Sequence, residues 1–160
     1  MNSASVGNPA RYLRTMSMRI ALGSDHAGYE LKEAVKKHLV GLGHVVEDKG
    51  THSTASMDYP DPAHAVAGSV ASGANTLGVL ICGSGNGVSI AANRHRGVRC
   101  ALVWNPEVAR LARAHNNANV LALPARFIAT ADAIAAIEEF LNSPFEGGRH
   151  AGRVEKIEAC

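Results

Sequence analysis

The run LGVLIC at 77–82 carries no charged side chain and leads directly into GSGNG at 83–87. A strand that is apolar on both faces belongs inside a sheet covered on both sides, the situation of a central strand in a parallel sheet. The glycines then turn the chain into a helical pattern at Val88–His95. From Arg19 onward the same alternation recurs. RIALG at 19–23 reads as a first strand, and Gly28–Leu42 as a helix with Leu31, Ala34, Val35, Leu39 and Leu42 on one face. Glu33 supports Lys37 one turn later. His44–Asp48 is a second strand, a polar loop runs to Pro60, and the helix Pro62–Ser72 turns Ala63, Val66, Ala67 and Val70 inward.

Val98–Trp104 reads as a fourth strand, after which Asn105-Pro106-Glu107 supplies an N-cap, a first-turn proline and an early acid. That helix runs to about His115, Asn119–Leu123 is a fifth strand, and Thr130 caps a helix through Leu141. The tail Gly148–Glu158 forms one more helix, with Arg149 and Arg153 on one side and Val154 and Ile157 on another. The pattern predicts an α/β fold: an open, five-stranded parallel sheet with helices on both faces. Ligands of such sheets sit beyond the carboxyl ends of the strands.

A chain of 160 residues suits one domain. Apolar residues make up 46% and aromatics 4%, so the core must be built from Ala, Val, Leu and Ile. Sixteen basic against 14 acidic residues leave a net charge of +2, too balanced for nucleic acid or an anionic membrane. No apolar run approaches the roughly 20 residues of a membrane span. Three cysteines without paired spacing point to a reducing cytoplasm. The first 17 residues lack the apolar stretch of a secretory signal. They are Ser-rich and acid-free, as transit peptides are, and read as a disordered extension or an upstream start, with the domain at 18–160.

Gly83-Ser84-Gly85-Asn86-Gly87-Val88 suits either an anion cradle, where free amides at a helix start face the ligand, or a plain tight turn. It is not a Walker A loop, because Val88 and not lysine follows Gly87, and the same Val88 breaks a dinucleotide GxGxxG. Cys82, just before the turn, suits either a thiolate base or a small core side chain. Asp25-His26 after the first strand suits either a helix cap or a binding pair. His115-Asn116 ends a helix, where a histidine also complements the dipole. Arg149 and Arg153 form either a two-pronged phosphate clamp or a solvated face. The remaining histidines at 38, 44, 52, 64, 95 and 150 show no metal-ligand spacing, and no metal or cofactor is expected.

Five blocks carry a resemblance: GSDHAGYELK at 23–32, DYPDPA at 58–63, LICGSGNGVSIAANR at 80–94, ARAHNNANVLALPAR at 112–126 and GGRHAGRVEKI at 147–157. In this order they resemble the type B ribose-5-phosphate isomerases. The resemblance implies a single-domain, Rossmann-like three-layer α/β/α sandwich with a C-terminal helix. It implies metal-free interconversion of ribose 5-phosphate and ribulose 5-phosphate, a step of the pentose phosphate pathway, in a homodimer or tetramer with sites at the dimer interface. By the same resemblance Cys82 is the base that moves the proton. Some relatives have glycine there and a glutamate base at the position of Val88. Asp25 and His115 serve sugar binding and ring opening, and the hydroxyl of Ser84 assists. Gly83, Gly85, Asn86, Gly87 and Val88 form the anion hole, Asn116 binds substrate, and His26, Arg126, Arg149 and Arg153 contact the phosphate. Two readings compete with this one: an isomerase of a six-carbon sugar phosphate (allose or galactose 6-phosphate), and a non-catalytic nucleotide-binding module.

Overall fold

The structure, a computed structural model, describes residues 16–159. The extension expected at 1–17 therefore lies outside the described residues except for Met16 and Ser17, and Cys160 lies outside them as well. Elements follow in the order β1 (Arg19–Ser24), a 3-10 turn (His26–Gly28), α1 (Tyr29–Gly41), β2 (Val45–Asp48), α2 (Pro60–Ala71) and β3 (Leu77–Cys82). They continue with α3 (Asn86–Ala92), β4 (Cys100–Leu102), α4 (Pro106–Asn116), β5 (Val120–Pro124), α5 (Thr130–Asn142) and α6 (Arg149–Ile157).

All strand pairs are parallel, in the order β2-β1-β3-β5-β4. Every residue of β3 is buried, as its composition requires. Alternate side chains of each strand go to opposite layers. Ile20, Leu22, Val79, Ile81, Leu121 and Leu123 pack with α1, α4 and α5, where Phe140 is the one buried Phe, Tyr or Trp ring among the described residues. Ala21, Leu80, Cys82, Val120 and Ala122 face α2 and α3. Ala63, Val66, Ala67 and Val70 of α2 point inward, as their spacing predicts.

Several local expectations are corrected. In α1 the inner face holds Lys32, fully buried, while Leu42 caps the helix and stays exposed. Glu33 pairs with Lys32 at 2.9 Å instead of with Lys37. Ala129, not Thr130, is the N-cap of α5, and no side chain bonds there. Helix α3 stops at Ala92 because the Asn93 side chain turns to the free edge of β4, where it bonds both the N–H and the C=O of Cys100 at 2.8 and 2.9 Å. That edge strand is only three residues long. In α6 the one buried residue is His150, while Ile157 is exposed.

Lys32 has a structural task. Its ammonium meets Asp48 at 2.6 Å, and Lys36 meets the same carboxylate at 2.9 Å. Burial pushes the Asp48 carboxyl up, but hydrogen bonds from Lys32, Lys36 and the Gly50 amide outweigh it and hold the group down at about 2. This ion pair fixes the end of β2, where the loop toward α2 begins. Farther along that loop, the Met57 amide donates to His26 Nδ1 at 3.2 Å.

Candidate active site

The strand order reverses direction between β1 and β3, which opens a crevice at their carboxyl ends. A cavity of about 440 Å³ occupies it, lined by Asp25, His26, Tyr59, Cys82, Gly83, Ser84, Gly87, Arg126 and Phe127 among others. Cys82 is the last residue of β3 and is 4% exposed. The Gly85 amide donates to its sulfur at 3.1 Å. Gly85 adopts φ +75, and a Cβ there would collide with the Leu102 side chain, so the turn demands glycine. The amides of Ala125 and Arg126 bond the carbonyls of Cys82 and Gly83 at 2.9 and 3.0 Å. These bonds carry the Arg126 guanidinium against Gly83.

Asp25 does cap: its Oδ1 accepts from the Gly28 amide at 3.0 Å, yet the residue also lines the cavity. With its Nδ1 accepting from Met57, a neutral His26 ring carries its proton on Nε2. The other strand-bound thiol differs. Burial pushes the Cys100 thiol up to about 12, and it stays inert in the layer under α2 and α3.

His115, Asn116, Arg149 and Arg153 do not join this cavity within one chain. They lie at the other end of the sheet, because α4 runs back toward the start of β5, and Val120 pairs with Gly78 at the start of β3. Gly78 to Cys82 is about 13 Å of strand. At that end the His115 and His150 rings stack at 4.2 Å with planes 10° apart. Oε2 of Glu146 stands 3.7 Å from Nε2 of His115 and 3.6 Å from Nε2 of His150. Burial lowers the pKa of His150, helped by the charges of His115, Arg149 and Arg153 and opposed by Glu146. Arg149 and Arg153 are exposed one helical turn apart. Among the described residues no helix is long and apolar enough to cross a membrane.

Residues 20–157 match the sequence model of the Ribose/Galactose Isomerase family. The chain belongs to that family. It is 45% identical over 141 residues to ribose-5-phosphate isomerase B of Escherichia coli K12, covering 88% of this chain and 95% of the relative. A ribose 5-phosphate isomerase of Thermotoga maritima superposes with a TM-score of 0.89 at 52% identity, over 91% of this chain and 100% of that one. Ribose-5-phosphate isomerase B of Mycoplasma genitalium, solved with bound ribulose-5-phosphate, gives 0.86 at 45% identity over 89% and 95%. The fold of this isomerase-family chain is thus the three-layer α/β/α arrangement that its motifs imply.

The sequence assigns no site role to Tyr59 and Phe127 of the cavity wall or to Glu146 of the second cluster, and it places His150 among histidines without metal-ligand spacing. Tyr59 lies inside the DYPDPA block, which marked it. Nothing marked Phe127. Glu146 and His150 stand four apart, a spacing that was visible, but their partner His115 comes from another helix.

Proposed function

We propose that this chain interconverts ribose 5-phosphate and ribulose 5-phosphate through an enediolate, with Cys82 as the base. The observation that carries this is the cavity at the β1/β3 crevice, which gathers a thiol, a glycine-rich turn, Asp25, His26 and Arg126 around one space. The names of the Escherichia coli and Mycoplasma genitalium relatives support the substrate. In the forward direction the Cys82 thiolate takes the proton from C2 and returns it at C1, while a second proton passes from the oxygen on C2 to the oxygen on C1. The Gly85 and Asn86 amides are engaged by Cys82 Sγ and Ser84 Oγ. The amides of Gly87 and Val88, at the start of α3 and without helical partners, remain as donors to the developing oxyanion. Ser84 Oγ stands beside them. The Nε2 proton of His26 and the Arg126 guanidinium serve the phosphate.

The reaction needs a second chain. His115 for ring opening, Asn116 for the sugar hydroxyls, and Arg149 and Arg153 for the phosphate come from a partner subunit whose opposite sheet end meets this cavity. Tyr59, 43% exposed, and Phe127, 74% exposed, stand at the cavity as apolar surface fit for that contact. A homodimer is the smallest symmetric assembly that completes two such sites. No cofactor takes part in this scheme, and the free thiols Cys82 and Cys100 suit a reducing cytoplasm.

The family's description names galactose as well as ribose, which keeps six-carbon sugar phosphates as a second reading. Turnover of ribose 5-phosphate measured in EDTA beside allose and galactose 6-phosphates tests the assignment. The expected result is preference for the five-carbon substrate. Preference for a six-carbon one overturns the substrate, and no turnover of any of them overturns the reaction.

A further inference from the structure

The cluster at the amino end of the sheet has a property that isomerisation does not use. His115, Glu146 and His150 place one donor atom each within 4.8 Å of one another. We propose that these three side chains form a binding site for a divalent transition ion of the zinc type, and that filling it withdraws His115 from the isomerase reaction. The inhibitory half rests on the ring-opening role of His115 in the proposed reaction, whereas the binding half stands without it.

The local fold brings the donors together for reasons independent of any ion. The Glu146 amide donates to the carbonyl of Ala114 at 3.0 Å, which ties Glu146 beside the end of α4, next to His115. Gly147 and Gly148 then take φ of +65 and +53, turning the chain so that α6 starts at once and His150 comes back under Glu146. Two imidazoles and one carboxylate are a common zinc donor set that leaves positions open. With zinc–ligand bonds of about 2.0–2.2 Å, tetrahedral donors stand roughly 3.4 Å apart. The two imidazole–carboxylate distances, 3.7 and 3.6 Å, are already close to that.

The ring stack must open. An ion shared by both Nε2 atoms lies in neither plane of two rings stacked at 10°. The His115 side chain, 37% exposed, is the one free to swing, while His150, 7% exposed, stays put. Arg149 and Arg153 flank the cluster and oppose any cation. The site therefore excludes calcium and magnesium, which bind oxygen, and selects ions with strong affinity for imidazole.

The test is calorimetric titration of the EDTA-treated, dialysed full chain with Zn2+, with Co2+ absorption as the spectroscopic reporter. Wild type and Cys82→Ala are expected to bind one ion per chain. Glu146→Gln, an exposed change that leaves the fold intact, and His150→Gln are each expected to weaken binding by about tenfold or more. In wild type Zn2+ suppresses ribose 5-phosphate turnover and EDTA restores it, whereas Glu146→Gln keeps most of its own rate at the same Zn2+ concentration. Binding unchanged in both cluster variants overturns the site, with the exposed His64–His95 pair, 2.8 Å apart, as the ion's next address. Binding lost with Cys82→Ala overturns it too and moves the ion to the thiol. Cluster-dependent binding that leaves turnover untouched upholds the metal site and overturns both the inhibition and the ring-opening role of His115.

Discussion

Cys82 and His115 stand at opposite ends of one sheet, and they are held in different ways. Around Cys82 the main chain does the holding: a Gly85 amide on the sulfur, and the Ala125 and Arg126 amides on the carbonyls of residues 82 and 83. Around His115 side chains do it: a stacked ring and a shared carboxylate at 3.6–3.7 Å, at the end of a helix whose cap Asn117 is left-handed. A base that must lift and return one proton, and an oxyanion hole, gain from a fixed frame. In the proposed reaction, an acid and a phosphate clamp supplied by a partner subunit gain from side chains that can adjust.

The largest expected effects test whether both ends belong to one reaction. Cys82→Ala should lower turnover of ribose 5-phosphate by about a thousandfold, and His115→Ala by about a hundredfold, with circular dichroism unchanged. If one of them turns over like wild type, the end it belongs to falls out of the chemistry. Asp48→Asn separates holding from chemistry. It leaves Lys32 buried without its main partner and should cost about 3 kcal/mol in urea unfolding. The Asp48 carboxyl is lowered in the fold to about 2, against an ordinary value of 3.8. Its contribution is therefore complete above pH 4 and disappears as the pH falls toward 2, so the variant should flatten that part of the acid unfolding curve.

Smaller effects sharpen the contrast. Gly85→Ala forces a Cβ into Leu102 at positive φ, and should cost about 2 kcal/mol while moving the amide that holds the Cys82 sulfur. Its turnover should fall further than its stability explains. Asn105→Ala removes an N-cap bond of 2.9 Å from the Val108 amide, outside the cavity lining, and should cost about 1 kcal/mol with kcat unchanged.

Legibility in the sequence follows the same division. The inward positions of α2 and the buried strand β3 could be read because apolar spacing alone decides them. The Asn105 cap could be read because it is local. Lys32 could not, since its partner Asp48 lies on another element and no local rule places a lysine in a core. The length of β4 depends on Asn93, a side chain acting as a surrogate strand across the sheet edge. Cys82, Asp25, His26 and Arg126 meet because strand order brings them to one crevice, which the alternating pattern anticipates only for residues at carboxyl ends. His115 and Arg149 lie on the other side of that rule, and a single chain offers no path between the two groups.

Mixing the two impaired variants tests the central claim most directly. Cys82→Ala and His115→Ala, unfolded together in equal amounts and refolded, should regain about a quarter of wild-type turnover, because half of the random dimers then hold one site with both intact residues. Each variant refolded alone should keep only its own low rate. No recovery in the mixture, with mixed dimers demonstrated by mass spectrometry, would mean that Cys82 and His115 serve one site from the same chain, and would contradict a site shared between subunits.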